Sequence, residues 1–531
     1  MRTSDYIIYV KLPNCSGYLI VHGYTGAVDL VSSNVVAFLK RGDATAAGGS
    51  SLLSQPSGAT IDKLRTRGYI TERSSCEERQ FVSQLSSLIH NVSCRRSSFS
   101  FFVAYDCDFD CPYCFQRDRL QSDLGWSKML ISRDSVSKAY RAMYEINPIR
   151  AFHDNRIMLV GGEPLMIENH EIVSYIIEKG LSEGYTFGAI TNGYWIDRFV
   201  SFIQPGMIDF LQVTLDGDQY RHDTLRRHRS GAGTFERIMR NIDLAIDSGA
   251  TVSVRINVPG SLLDDLHQLN DEFVRRGWCE TGRFSAYRAR IRDRVKRENA
   301  LGKSGVRGKR ERAPSDHRRR PGQVEMCRNR SCEPHTGIDS LRSREERLAE
   351  ASREHKMAEV ASSGSSHDYN ADGPFEADRY ITQSVDIEDM RNKFSHIAGY
   401  DRELRMIIVK MLRDGAGLPF RMNFCGAMNG MMVFEPYGRI YTCLETVGLH
   451  EFSVGTFGAR ICVDKDKIES LWRGSLYDSG CHACKYLFFC GRGCPVHSIF
   501  QDKIDRAEVC REFPPLFKQI LVEEFMNLPK Q

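Results

Sequence analysis

Apolar residues in the middle of this chain come in short runs, several of which end on a polar cluster. Phe99–Tyr105, Arg156–Val160, Phe187–Ile190, Phe210–Val213, Val252–Val258 and Phe284–Tyr287 are rich in β-branched and aromatic residues and are expected to be strands. Helical stretches separate them, and strand–helix alternation from Ser97 to about Tyr287 predicts a parallel α/β sheet. Phe99–Tyr105 leads into a cysteine-rich loop, and Arg156–Val160 into Gly161-Gly-Glu-Pro164. Phe187–Ile190 leads into Thr191-Asn-Gly193, and Phe210–Val213 into Thr214-Leu-Asp-Gly217. Parallel α/β folds build their sites at the carboxyl ends of strands, so the four polar motifs are expected to share one cavity.

The flanks differ in pattern. Tyr6–Val10, Gly17–His22 and Val28–Val31 read as strands around a turn at Tyr24–Ala27. Ser32 or Ser33 is positioned to cap a helix over Val35–Lys40 that stops at Gly42, a second helix lies near Asp62–Arg67, and Gly68–Thr71 follows. Residues 1–90 are therefore expected to form a small, winged-helix-like α+β module, and residues 97–288 the α/β core. Residues 289–375 are rich in Arg, Ser and Gly with little periodicity and read as a basic, mostly disordered insertion. Residues 376–531 form a cysteine-rich region in which Met431–Tyr441 reads as a hairpin turning at Tyr437-Gly438.

Composition narrows the classes. At 531 residues the chain exceeds one ordinary domain, and at 41% hydrophobic it can bury a sizeable core. Its apolar runs fall short of the roughly 18–20 residues that span a bilayer, and its first residues lack a signal-peptide pattern, so a soluble cytoplasmic protein is expected. In such a chain 17 cysteines point to metal binding rather than disulfides. The net charge of +4 hides a basic stretch from Arg283 to Arg353, where Lys and Arg outnumber Asp and Glu about twofold. Without interleaved aromatics that stretch gives little reason to expect a nucleic-acid partner.

The central chemistry is in the first polar loop. Cys107, Cys111 and Cys114 place three thiols in one tight loop, with Tyr113 before the last. Thiolates are the soft ligands that iron–sulfur clusters take, and a cubane normally takes four, so three leave one iron open. The alternative is a zinc knuckle, which would need a fourth Cys or His, and the nearest downstream histidine is His153. Gly161 and Gly162 give a backbone free of β-carbons beside the carboxylate of Glu163, a surface that can receive a ligand ammonium group.

The cysteine loop with its aromatic, followed about fifty residues later by Gly161-Gly-Glu-Pro164, resembles the radical S-adenosylmethionine (SAM) superfamily. That resemblance implies a partial (β/α)6 barrel, a 4Fe–4S cluster on Cys107, Cys111 and Cys114, and SAM chelated to the open iron. Gly161, Gly162, Glu163 and Pro164 would hold the SAM amino group, Thr191 and Asn192 its ribose, and Arg226 its carboxylate. Thr214 and Asp216 resemble the family's Ser-x-Asp-Gly, and Tyr113 belongs to the same site. One electron from the cluster would cleave SAM to a 5′-deoxyadenosyl radical that removes hydrogen from an unactivated carbon.

Seven further cysteines follow: Cys425, Cys443, Cys481, Cys484, Cys490, Cys494 and Cys510. Four of them within fourteen positions also suit a zinc ribbon. The whole pattern resembles the SPASM domain of peptide-modifying radical SAM enzymes, which binds two auxiliary 4Fe–4S clusters. By that resemblance Cys481, Cys484, Cys490 and Cys510 hold one cluster, and Cys425, Cys443 and Cys494 the other. The latter would be completed by Cys279, Cys327 or Cys332, or left open to substrate.

The expected function is hydrogen abstraction from a peptide or protein residue, setting a crosslink, thioether or oxidation. A flavodoxin or ferredoxin would be the low-potential electron donor, and the N-terminal module would recruit a leader segment by strand addition. Two alternatives stand beside it. One is an anaerobic sulfatase-maturating enzyme making formylglycine, whose family carries an acid directly after the cysteine matching Cys443. Here Leu444 takes that position, with Glu445 the next candidate. The other is a non-catalytic iron–sulfur carrier or scaffold.

Overall fold

The computed structural model describes residues 1–13, 17–41, 56–114, 116, 129–258, 266–290, 397–398, 402–414, 425–476, 479–491 and 506–528. Residues 1–297 and 375–531 form one compact unit; a second, 298–374, lies outside the described residues. So do Gly42, Cys327, Cys332, Cys494 and the expected disorder of the insertion.

The N-terminal strands are β1 (Arg2–Thr3), β2 (Ile7–Lys11), β3 (Tyr18–His22), β4 (Val28–Val31) and β5 (Ile70–Thr71). β2, β3 and β4 make an antiparallel meander with Ile7 opposite His22 and Leu19 opposite Leu30, while β1 pairs with β5. The first helix begins at Ser33, after an extended Ser32, and runs to Lys40. The second is longer than its apolar pattern suggests, Gly58–Thr66, because Ser57 caps it by accepting from the Thr60 amide at 3.2 Å. A capping box between Ser74 and Glu77 opens a third helix, Ser75–Ser93, which runs past the expected limit at residue 90.

Buried polar groups tie this module together. Glu78, fully buried, accepts from Arg2 Nη2 at 2.6 Å, Ser4 Oγ at 2.5 Å and Tyr24 Oη at 2.9 Å. His22, also fully buried, sits 3.1 Å from Ser4 Oγ and accepts from the Thr25 amide at 3.3 Å. Burial pushes its imidazole down to about 3. An unfolded histidine takes a proton near pH 6.5, so below that pH the unfolded chain binds the extra proton and stability falls. Lowering the pH from 7 to 5 is expected to cost about 2 kcal/mol through this group alone. Urea midpoints at the two pH values test it: His22→Gln should flatten the dependence, and an unchanged slope would discount His22.

The core sheet holds β6 (Ser98–Phe102), β7 (Arg156–Val160), β8 (Thr186–Thr191), β9 (Ile208–Leu215), β10 (Thr251–Val258) and β11 (Phe284–Arg290). These six are parallel and adjacent in chain order. Beyond β11 lies the short β12 (Ile397–Ala398), also parallel. At the other edge β13 (Met431–Phe434) runs parallel to β6, followed by antiparallel β14 (Arg439–Tyr441), β15 (Gly455–Phe457) and β16 (Ile461–Val463). Amphipathic helices such as Arg133–Ile146, His170–Ser182 and Phe235–Asp247 bury Met143, Ile176 and Ile242 in one core with Phe101, Leu159 and Val213. This is the parallel sheet the alternation predicts, in the strand order of the partial barrel that the resemblance implies. Several strand limits differ: the first strand ends at Phe102, because Ala104 leaves the ladder to bridge Leu130, the third and fourth extend to Thr186–Thr191 and Ile208–Leu215, and the sixth runs on to Arg290. No helix among the described residues is long and apolar enough to cross a membrane.

The N-terminal meander shares a core with the C-terminal segment. Ile8, Val10 and Val21 pack in one cluster with Ile408, Tyr486, Phe489 and Phe517. Arg405, in the helix Arg402–Asp414, pairs with Glu523 and Glu524 of the long helix Arg506–Met526.

Candidate functional site

The strand ends place the cysteine loop between two other segments. On one side residues 108–110 pair with 227–229: Phe109 and His228 form an antiparallel bridge, the Asp110 amide donates to the Arg227 carbonyl at 3.1 Å, and the Arg229 amide to the Asp108 carbonyl at 2.7 Å. Arg229 Nη2 reaches Asp106 Oδ1 at 2.7 Å. Asp108 accepts from Asn192 Nδ2 at 2.8 Å and Trp195 Nε1 at 2.6 Å, tying the loop to the end of β8. The sequence reading missed this aspartate; its signal was the alternation of Asp and Cys from Asp106 to Cys111. Asp108→Ala would strand a buried donor on Asn192 and a half-buried one on Trp195 and is expected to cost about 2 kcal/mol, read by urea denaturation. Asp108→Asn, which keeps an acceptor, should cost less.

On the other side the glycine motif lies flush against the loop. The Gly162 amide donates to the Ala104 carbonyl at 2.9 Å and the Glu163 amide to the Asp106 carbonyl at 2.8 Å. A β-carbon at Gly162 would stand 2.1 Å from the Asp106 carbonyl oxygen, so only glycine fits. Gln116, also missed in the sequence, donates from Nε2 to the Gly161 carbonyl at 3.3 Å, and its buried Oε1 has no partner among the described residues.

Glu163 is buried and braces two strand ends. Its carboxylate accepts from the Leu165 amide at 2.9 Å, Thr191 Oγ1 at 2.6 Å and the Asn192 amide at 2.6 Å. Burial pushes it up to about 7, against the pull of these donors. Asn169 Nδ2 holds the carbonyls of Glu163 and Pro164 at 3.0 and 3.3 Å. Thus Glu163, Thr191 and Asn192, expected to face a ligand, also bond one another.

A third group closes the rim. Tyr113 Oη donates to Asp216, and Arg226 Nη1 donates to Tyr113 Oη at 2.8 Å. The Asn257 amide donates to Asp216 Oδ1 at 3.3 Å. Arg226 is 8% exposed, its guanidinium lies 5.6 Å from the centre of the Phe109 ring, and its buried Nε has no partner among the described residues. Thr214 lies two residues earlier on β9, opposite Arg255.

All three loop cysteines are free of disulfides. Burial pushes the Cys111 thiol up to about 11 and Cys107 well above its ordinary value, with Arg226 opposing the rise at Cys111. A coordinated metal reverses this, since it deprotonates a thiol outright. Among the described residues no three His, Cys, Asp or Glu side chains close on one metal-sized point. The fit to an iron–sulfur group with SAM lies in the soft donor set and in the buried polar atoms of Arg226 and Gln116 that have no partner among the described residues.

The C-terminal cysteines fall in two places. Cys425 and Cys443 share an apolar cluster with Tyr105 and Tyr441. Cys484 and Cys490 border the cluster of the N-terminal meander, Cys481 lies against Tyr6 and Phe488, and Cys510 is exposed on the long helix. Cys279 is in a short turn, Trp278–Glu280, ahead of β11, and Glu445 in another, Leu444–Thr446.

A half-barrel with a three-thiol loop at its carboxyl rim is the architecture expected of radical SAM proteins. Residues 102–272 match the model of the Radical SAM superfamily. A GTP 3′,8-cyclase of Xanthomonas axonopodis pv. citri is 27% identical over 146 residues, 27% of this chain. The match spans 40% of that relative's length. Native anSMEcpe with bound AdoMet is similar at 13% identity and a TM-score of 0.47, covering 82% of this chain and 100% of its own. Streptococcus suis SuiB bound to S-adenosylmethionine is similar at 13% identity and a TM-score of 0.41, covering 95% and 97%. The fold assignment rests on the strand order and the family match.

Proposed function

We propose that the chain is a SAM-dependent radical enzyme that abstracts hydrogen from a residue of a peptide or protein, with auxiliary iron–sulfur groups in its C-terminal region. The observation that carries the first part is the cysteine loop held between the 227–229 segment and the glycine cradle. The peptide substrate and the auxiliary groups are supported by the SPASM-like order of the C-terminal cysteines. When bound, the cluster and SAM supply one-electron cleavage of a carbon–sulfur bond and hydrogen abstraction.

The chain's own residues provide position and shielding. Cys107, Cys111 and Cys114 would hold the cluster. Gln116 Oε1 and the Gly161 carbonyl would accept from the amino group of SAM. Arg226, buried with a donor to spare, would take the SAM carboxylate and offset the charge of the thiolates. Apolar neighbours such as Phe109 and Val160 exclude water that would quench a radical.

The test is anaerobic loading with iron and sulfide, then dithionite and SAM, with 5′-deoxyadenosine as the product assayed. Nucleoside release supports the enzyme. Iron-loaded protein that releases none, with or without candidate peptides, would favour the carrier or scaffold role.

A further inference from the structure

We propose that the outer edge of β16 (Ile461–Val463) pairs with the same edge of a second copy of this chain, antiparallel about a twofold axis at Cys462, so that one sheet runs through both copies. This surface does not depend on the reaction that the chain performs.

β16 is the last strand of its sheet, and among the described residues no strand lies beyond it. Its inner edge is spent on β15: Thr456 stands opposite Cys462, and the Asp464 amide donates to the Val454 carbonyl at 2.8 Å. Backbone groups of successive residues turn to alternate sides of a strand. Those of Cys462 and Asp464 therefore face β15, and those of Ile461 and Val463 face outward. They offer their amides and carbonyls to a partner, on a strand with no lysine or proline within it to blunt the edge.

The edge is complementary to itself. With Cys462 opposite the partner's Cys462, Ile461 falls opposite the partner's Val463, and Arg460 opposite the partner's Asp464. In this register every outward amide meets an outward carbonyl, and the two Cys462 residues form a close pair without hydrogen bonds between them. Arg460, Cys462 and Asp464 are all exposed. Asp464 gives one carboxylate oxygen to the Lys467 amide at 2.8 Å and has a second for the arginine. Opposite charges directly across an antiparallel pair stabilise it, and here the twofold axis supplies two such pairs.

On the other face of the strand Ile461 and Val463 line a recess of about 640 Å³, together with Met432 of β13 and the exposed Ile149 and Phe152. The recess reaches Ser97 and Gly430, just ahead of β6 and β13, at the end of the sheet opposite the cysteine loop. A second copy on the edge extends this apolar face with its own Ile461 and Val463, as a twofold contact does by using one patch twice. A substrate peptide would meet the same outward amides. What favours a second copy is the pattern of charge: Arg460 at one end and Asp464 at the other match their own reversal.

The experiment is sedimentation velocity on the full chain, kept anaerobic, over a rising concentration series. The parent is expected to pass from one copy to two. Arg460→Glu sets like charges opposite each other at both ends of the pair and should lower the association constant about tenfold, with the thermal midpoint unchanged. Asp464→Lys should do the same. An equimolar mixture of these two variants restores opposite charges at both ends and should recover the parent's association. Val463→Pro removes an outward amide without touching the bonds to β15, and should weaken association as strongly. A short bismaleimide should join two parent copies through Cys462, identified by peptide mapping, and should fail to do so in Cys462→Ser. A parent that stays a single copy would overturn the proposal, as would a dimer that Arg460→Glu and Val463→Pro leave intact. An extended peptide bound along β16 by a chain that does not self-associate would overturn it in favour of that peptide.

Discussion

Replacing Cys107, Cys111 and Cys114 together by alanine is expected to remove about four irons per chain and to lower nucleoside release from SAM by more than a thousandfold. The three thiols are the proposed ligand set, and among the described residues no other cysteine or histidine lies in the loop. The fold should survive, because the loop is held by its backbone pairing with 227–229 and by Asp108 on Trp195 and Asn192, none of which uses sulfur. Cys111 is 8% exposed in the main core, so its truncation should cost about 1 kcal/mol. Iron analysis and far-UV circular dichroism on the same sample separate the two effects. A variant with full iron and full nucleoside release would refute the site; one that has unfolded would refute the account of the loop's anchoring.

The second large effect comes from a single methyl group. In Gly162→Ala the new β-carbon would stand 2.1 Å from the Asp106 carbonyl oxygen and 2.5 Å from that of Tyr105, inside any real contact. These are backbone atoms of the loop itself, so relief requires the loop to move by nearly an ångström. That movement breaks the bonds from the Gly162 and Glu163 amides to the loop carbonyls. A displacement of this size costs about a hundredfold in rate when it separates reacting groups, and about 3 kcal/mol of stability is expected to go with it. Gly58→Ala is the control: nothing lies within 4 Å of its β-carbon and it opens a helix, so it should be neutral or slightly stabilising. Equal behaviour of the two variants in thermal denaturation and nucleoside assays would show that the cradle has room after all.

The strands of the core were legible because each is a β-branched or aromatic run stopped by polar residues, and Arg156–Val160 is found at its expected limits. The four polar motifs do converge. Less visible were the bonds among them. Tyr113, Asp216 and Arg226 each stand out in the sequence, yet nothing there shows that Tyr113 bridges the other two, since it lies about a hundred residues before both. Asp108 belongs to no motif in the sequence, yet it anchors the loop through Asn192 and Trp195. Hydrophobic periodicity places a residue on a face but does not choose its partner, and buried polar pairs are chosen by tertiary contact. For the same reason the meander read as a separate module, while its cores are shared with the C-terminal cysteines.

The parallel pairing of β13 with β6 has a consequence for synthesis of the chain. Met432 opposes Phe99, and Phe101 opposes Phe434, so the first strand of the half-barrel is covered only by a segment made more than three hundred residues later. At a ribosomal pace of about 5–20 residues per second, this edge waits on the order of half a minute for its neighbour. An apolar strand edge left open invites pairing with another nascent chain. The yield of soluble protein should therefore depend on chaperone supply and growth temperature more steeply than that of a parallel sheet whose outer strands are neighbours in sequence.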